Sequence, residues 1–195
     1  MDYNEYTAYK EKIETVAKNQ TNELVWNNSP IHDCVIMNSL FNYSNEVLMF
    51  CGKGSIFREC FKKEVDEDMT EEEKNTFPEG ELPIRDLYDS IKRFFNEKNG
   101  GLTIVLEEKN GFEDDIAEEL KEVMTDSANN ITIYRLREDI HPEYHFSIGD
   151  NCKYRRETGA LERKAFANFN DKETVNILNK QFNILKSFSE IVERS

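Results

Sequence analysis

Apolar positions along the chain fall into helical stripes and short strand-like runs. Tyr6, Tyr9, Ile13 and Val16 recur at intervals of three and four within residues 2–19, which predicts an amphipathic helix. Residues 21–30 read as a short extended segment reset by Pro30. Ile31, Val35, Leu40 and Phe41 then mark the apolar face of a second helix, with Asn45 as its C-cap. The run "EVLMFCG" is apolar and closed by glycine, the pattern of a strand buried on both faces. Ser55 is the expected N-cap of a helix carrying Ile56, Phe57, Cys60, Phe61 and Val65.

From Glu64 to Glu81 the periodicity lapses. Nine acidic residues and one lysine crowd this segment, and like charges at that density predict a solvated loop. Helical spacing returns over 84–101 through Leu87, Ile91, Phe94 and Phe95, and ends at Gly100 and Gly101. "LTIVLEE" is the next strand, Phe112, Ile116, Leu120 and Val123 stripe another helix, and "NITIYRL" is a third strand. Strands alternating with helices predict a parallel sheet with crossover connections.

Beyond residue 141 the period changes to two. "YHFSI" and "KYRRE" alternate around Gly149-Asp150-Asn151, an antiparallel hairpin with a tight turn. "RKAFANF" adds a short strand. A terminal helix capped by Asp171 carries Val175, Leu178, Phe182, Leu185, Phe188 and Val192. The expected fold class is α/β: a mixed sheet with a parallel core, an antiparallel C-terminal hairpin and helices on both faces. The expected organisation is an N-terminal helix over residues 1–20 and one α/β domain over 21–195, with 64–81 as an acidic loop.

Composition adds limits. The 195 residues include 13 Phe and 8 Tyr, enough aromatic area for a core beneath a highly charged surface. Net charge is −14, distributed unevenly. Residues 141–195 hold nine Lys/Arg against eight Asp/Glu, and residues 1–140 hold 16 against 31. Such a field repels nucleic acid and anionic lipid, so any polyanion must bind locally in the C-terminal quarter. Cys34, Cys51, Cys60 and Cys152 form no CxxC pair and only three histidines are present. A zinc framework is therefore not expected, nor any metal or cofactor. No run of 18 apolar residues predicts a membrane span. The first residues lack the basic and apolar regions of a secretory signal, so a cytoplasmic chain with reduced thiols is expected.

The candidate chemistry lies in the hairpin "HFSIGDNCKYRRE", in "SPIHDCVIMNSLFNYSNEVLMFCGKGSIFRECF", and in "KAFANFND" before the terminal helix. In these stretches the chain resembles a degenerate single-domain member of the phospholipase D superfamily, which includes small bacterial nucleases with an HxK motif. The order of elements matches over most of residues 22–192. In that family the histidine attacks phosphorus and the lysine two places on holds the phosphate. A second histidine protonates the leaving oxygen, and single-domain members recruit it across a two-fold axis. Spacing of two matters because residues i and i+2 share a sheet face.

The resemblance puts His145 at the histidine position, Ser147 where lysine belongs, Cys152 at the motif aspartate and Asn168 in the downstream asparagine place. His145 and Asn168 are thus the candidate catalytic residues. Lys153, Arg155 or Lys164 would have to replace the missing ammonium as substrate-binding groups. A serine cannot replace an ammonium against a dianionic transition state. The bland alternatives are a hydrogen-bonded strand histidine and a solvated basic hairpin face. His32 and His141 fit no ligand or relay spacing. Gly52-Lys53-Gly54-Ser55 fits a phosphate-binding loop or simply a tight strand-to-helix turn.

Three functions are compatible with these residues. The expected one, implied by the resemblance, is a degenerate scaffold acting as a binding or dimerising module in a bacterial cytosolic system, such as phage defence or a mobile element. Its partner would be a second copy or another protein. The alternative is a metal-independent phosphodiesterase or nuclease using His145 in a homodimer, with nucleic acid as partner only in that case. The third is an acidic mimic of nucleic acid built on 64–81.

Overall fold

The computed structural model describes residues 1–78, 82–107, 115–137, 140, 142–159 and 162–192. Helices α1 (Tyr3–Lys18) and α2 (Pro30–Asn42) flank strand β1 (Val25–Asn27). Strand β2 (Glu46–Cys51) leads through α3 (Glu59–Glu67), α4 (Glu71–Lys74) and α5 (Pro83–Asn96) to β3 (Gly101–Leu106). Helix α6 (Glu118–Asp126) precedes β4 (Ile131–Leu136). The remainder is β5 (Phe146–Gly149), β6 (Lys153–Gly159), β7 (Glu162–Asn168), α7 (Lys172–Ser187) and β8 (Ser189–Ile191).

The strands form one mixed sheet in the order β1-β7-β6-β5-β2-β3-β4-β8. Strands β2, β3 and β4 are parallel, and every other pairing is antiparallel. Alternation along the strands divides two cores. Val47, Met49, Leu102, Ile104 and Ile133 pack with α1, α2, α5 and α6. Phe50, Val105, Phe146, Ile148 and Tyr154 pack with α7 on the other face. The mixed α/β class with helices on both faces is therefore the observed architecture.

Helix α2 lies at the centre of the larger core. Every residue from Cys34 to Phe41 is buried, so the helix is covered on all sides rather than along one stripe. Ser29 Oγ accepts from His32 N at 3.3 Å and Pro30 opens the first turn, fixing the start of the helix. Its end comes at Tyr43, earlier than the expected Asn45. Lys98 Nζ donates to the carbonyls of Phe41 and Ser44 at 3.2 and 3.1 Å, and also to that of Asn42. Helix α1 joins the same core through Ile13 and Val16.

The structure also departs from the sequence expectation at Ser55, in the acidic segment, and at the end of the terminal helix. Ser55 does not cap a helix. It opens a 3-10 turn, Ser55–Phe57, after Gly54 at φ 70, a left-handed conformation that favours glycine. The acidic segment is structured from Glu64 to Pro78 and is not a loop. Thr70 and Glu73 make a capping box for α4, Met69 and Phe77 are buried, and the Phe77 ring meets Tyr3 and Tyr6 at 5.3 and 5.4 Å. Apolar residues scattered among the acids thus anchor the segment to α1; residues 79–81 lie outside the described residues. Finally, the terminal helix stops at Ser187. The hydroxyls of Ser187 and Ser189 donate to the carbonyls of Ile184 and Leu185. The chain then adds β8 antiparallel to β4. Among the described residues no helix is long and apolar enough to cross a membrane.

Candidate functional site

Register decides which side chains meet. In the hairpin Gly149 pairs with Lys153 and Ser147 with Arg155, so His145 falls opposite Glu157, whose amide donates to the His145 carbonyl at 2.9 Å. His145, Ser147, Arg155 and Glu157 therefore share the face that carries Met49 and Cys51 of β2. Glu107 follows the last residue of β3, and its amide donates to the Cys51 carbonyl at 3.0 Å. These groups gather at the carboxyl ends of β2 and β3, the end of parallel strands where open α/β sheets hold ligands. A cleft of about 700 Å³ opens there, lined by Asp33, Met49, Ser147, Arg155, Glu157 and His145 among others.

A chain of charge runs through the cleft. Asn27 Nδ2 donates to Asp33 Oδ1 at 3.0 Å. Arg155 Nε lies 2.5 Å from Asp33 Oδ1, and its Nη2 donates to Oδ2 at 3.0 Å. Arg155 Nη1 reaches Glu157 Oε1 at 3.5 Å. His145 Nδ1 lies 3.0 Å from Glu157 Oε2, and Nε2 lies 3.0 Å from Glu107 Oε2. Asp33 reaches this place because it sits in the first turn of α2, where the helix dipole also favours a carboxylate.

Ionised carboxylates only accept hydrogen bonds, so two of them on one imidazole require a proton on each nitrogen. Burial alone would lower the pKa of His145. Its hydrogen bonds to Glu157 and Glu107 outweigh that and raise it above the ordinary value. Burial likewise pushes Glu157 up, but His145 and Arg155 hold its pKa below the usual carboxylate range. The ring remains 23% exposed toward the cleft. In this state it is an imidazolium with no lone pair for nucleophilic attack. Cys51 offers no substitute nucleophile, because burial pushes its thiol up to about 12.

The structure brings His145, Ser147 and Arg155 together, and the Gly52-Lys53-Gly54-Ser55 stretch also lines the cleft. It places the others elsewhere. Lys153 shares the face but lies at the far end of the hairpin, about 13 Å along β6 from Glu157. Its side chain is 3% exposed and its ammonium donates to Asp150 Oδ2 at 2.8 Å. Asn168 pairs with Tyr154 on the opposite face, where it donates to Asn22 at 2.7 Å and accepts from the Asn170 amide at 2.8 Å. Lys164 is exposed, one residue from Ala165 on β7 and hence on the α7 side of the sheet. Arg156 also faces α7, 4.0 Å from the centroid of the Tyr144 ring. His32 stacks on Tyr9 at 4.3 Å and accepts from the Asn28 amide at 3.3 Å; its pKa is lowered chiefly by burial. His141 lies outside the described residues.

Asp33, Glu107 and Glu157 did not stand out in the sequence. Glu157 was accessible in principle: a loop of Asp150-Asn151-Cys152, one residue later than the expected turn, places it opposite His145. The position of Glu107 just past an apolar parallel strand is the other available signal. Asp33 had none, because only the packing of α2 against β6 brings it to Arg155. Among the described residues no group of three His, Cys, Asp or Glu side chains is arranged to hold a metal ion.

No protein-family model and no curated protein matches the sequence. Solved structures do match. Nuc from Salmonella typhimurium, a phospholipase D family member, superposes with a TM-score of 0.52 at 10% identity, over 88% of this chain and all of Nuc. NucT from Helicobacter pylori gives 0.50 at 12% identity, over 88% of this chain and 99% of NucT. At such identities the likeness is one of architecture, and it covers 88% of this chain rather than a single motif. A mixed sheet whose antiparallel hairpin abuts a parallel core, with an asymmetric pair of helical layers, is accordingly a phospholipase D-like fold.

Proposed function

We propose that this chain is a binding module on a phospholipase D-like scaffold, engaging a ligand, a partner protein or a second copy of itself without cleaving phosphodiesters. The observation that carries this reading is the clamp on His145. Both ring nitrogens are engaged by carboxylates at 3.0 Å, so the group that would attack phosphorus is protonated and held. The phosphate clamp is weak as well. Ser147 brings no charge to the position of the family's lysine, and Arg155 is already paired with Asp33. A dianionic transition state would meet Asp33 and Glu157 in the cleft, with Glu107 behind His145, and that repulsion works against catalysis.

The test is a metal-free hydrolysis assay on bis(p-nitrophenyl) phosphate and on single- and double-stranded DNA, alongside a His145→Ala variant. The expected result is the same background rate for both proteins. Turnover by the natural chain that disappears in His145→Ala would replace this reading with the phosphodiesterase one. Light scattering at several concentrations addresses self-association separately.

A further inference from the structure

The floor of the cleft holds a polar group with nothing to bind. Ser147 is only 3% exposed, lines the cleft, and its hydroxyl makes no hydrogen bond among the described residues. A ligand donor in the cleft would complete that hydroxyl. Ser147 pairs across the hairpin with Arg155, which places Glu157 on the diagonal, about 5–7 Å away between Cβ atoms. One N–H-bearing group can bridge the two.

The sign of that group follows from its surroundings. Asp33, Glu64 and Glu157 line the cleft and Glu107 stands behind His145, against Arg155, Lys53 and the His145 imidazolium. Arg155 is engaged by Asp33 at two points, leaving little positive potential for an anion. The protein already stabilises one N–H cation here, the ring between Glu107 and Glu157. Among the described residues Glu157 Oε1 has only the long 3.5 Å approach of Arg155 and retains capacity to accept. Met37, Met49 and Ile56 form an apolar wall beside these groups, suited to a short aliphatic stem. The net charge of −14 draws cations toward the opening.

We infer that the cleft binds a small free organic cation, an alkylammonium or guanidinium on a short aliphatic chain, which donates to Ser147 Oγ and to Glu157. This rests on the non-catalytic reading above and names its ligand class. It reverses the charge preference of a phosphodiester site while keeping the location. A cleft of about 700 Å³ matches a small-molecule guest in size.

Agmatine is the probe, titrated by calorimetry and by ring spectra of the three histidines. Saturable binding is expected, with the His145 resonances moving. Loss of a hydrogen bond to a charged group predicts about tenfold or more weaker binding in Ser147→Ala and in Glu157→Gln. Inorganic phosphate should not displace agmatine. The inference is overturned by the absence of saturable binding to the natural protein, by binding that leaves His145 unmoved, or by displacement with phosphate. Hydrolysis of bis(p-nitrophenyl) phosphate by the same sample would instead sink the reading beneath it, so the two failures are distinguishable.

Discussion

His145 holds three strands together through two hydrogen bonds: it sits beside β5, Glu157 belongs to β6, and Glu107 follows β3. Replacing it with alanine leaves the two carboxylates facing each other without the imidazolium. That costs about 1–3 kcal/mol, since each loses a charged hydrogen bond in a partly buried place. The loss should depend on pH in a stated direction. His145 has a raised folded pKa, so its contribution is complete below the unfolded value of about 6.5 and fades as pH rises through the higher folded value. Glu157 has a lowered folded pKa, so its contribution is present above about 4.3 and fades as pH falls through the lower folded value. The gap in urea midpoint between the natural chain and His145→Ala should therefore be widest near pH 6 and shrink toward pH 9. A gap independent of pH would mean that the ring acts only by packing.

At the scale of elements, the β5–β6 turn is the device that aims the cleft. Asp150 sits at φ 50, a left-handed conformation that aspartate tolerates better than most residues. Its Oδ1 accepts from the amides of Asn45 and Glu46 at 2.9 and 3.1 Å, and its Oδ2 accepts from Lys153. The turn is thereby fastened to the start of β2, which sets the register that puts His145 opposite Glu157. Asp150→Asn strands the buried Lys153 ammonium and should cost about 3 kcal/mol. The double variant Asp150→Asn/Lys153→Met should recover most of that in thermal unfolding; simply additive losses would contradict the stranded-charge explanation. Gly149 offers an independent check. A Cβ there would lie 2.3 Å from Ser44 Oγ and 2.9 Å from Leu40 Cδ1, so Gly149→Ala must push β5 away from α2. It should lower stability by about 1–3 kcal/mol, read from the urea midpoint.

For the whole molecule, the dominant quantity is the net charge of −14. Self-repulsion of that size opposes the compact state. Raising salt from about 10 to 150 mM shortens the screening length from about 30 to about 8 Å, and the thermal midpoint should rise by a few degrees. A fall would show that ion pairs such as Lys10–Asp86, at 2.5 Å, outweigh the repulsion. The acidic segment fits the same balance. Asp66, Glu67, Asp68, Glu71 and Glu72 are exposed to solvent, while Met69 and Phe77 bind the segment to the body.

Much of the architecture was legible because periodicity reports burial one residue at a time. The alternation around Gly149 and the apolar run of β2 each imply their element with no knowledge of the rest. The hairpin, the parallel core and the terminal helix follow from such local signals. Less was legible where burial is collective. Every side of α2 is covered, Phe77 is pinned by Tyr3 and Tyr6, and β8 exists only because β4 has an open edge. The candidate site divides the same way. His145 and the absence of a lysine at Ser147 are properties of the chain and could be read directly. That both ring nitrogens of the histidine face carboxylates, that Arg155 is paired with Asp33, and that Lys153 and Asn168 lie elsewhere are properties of register and packing. Electrostatic character depends on distances of about 3 Å between residues such as Asp33 and Arg155, 122 positions apart. No linear pattern encodes such distances; they arise only when the sheet closes against α2.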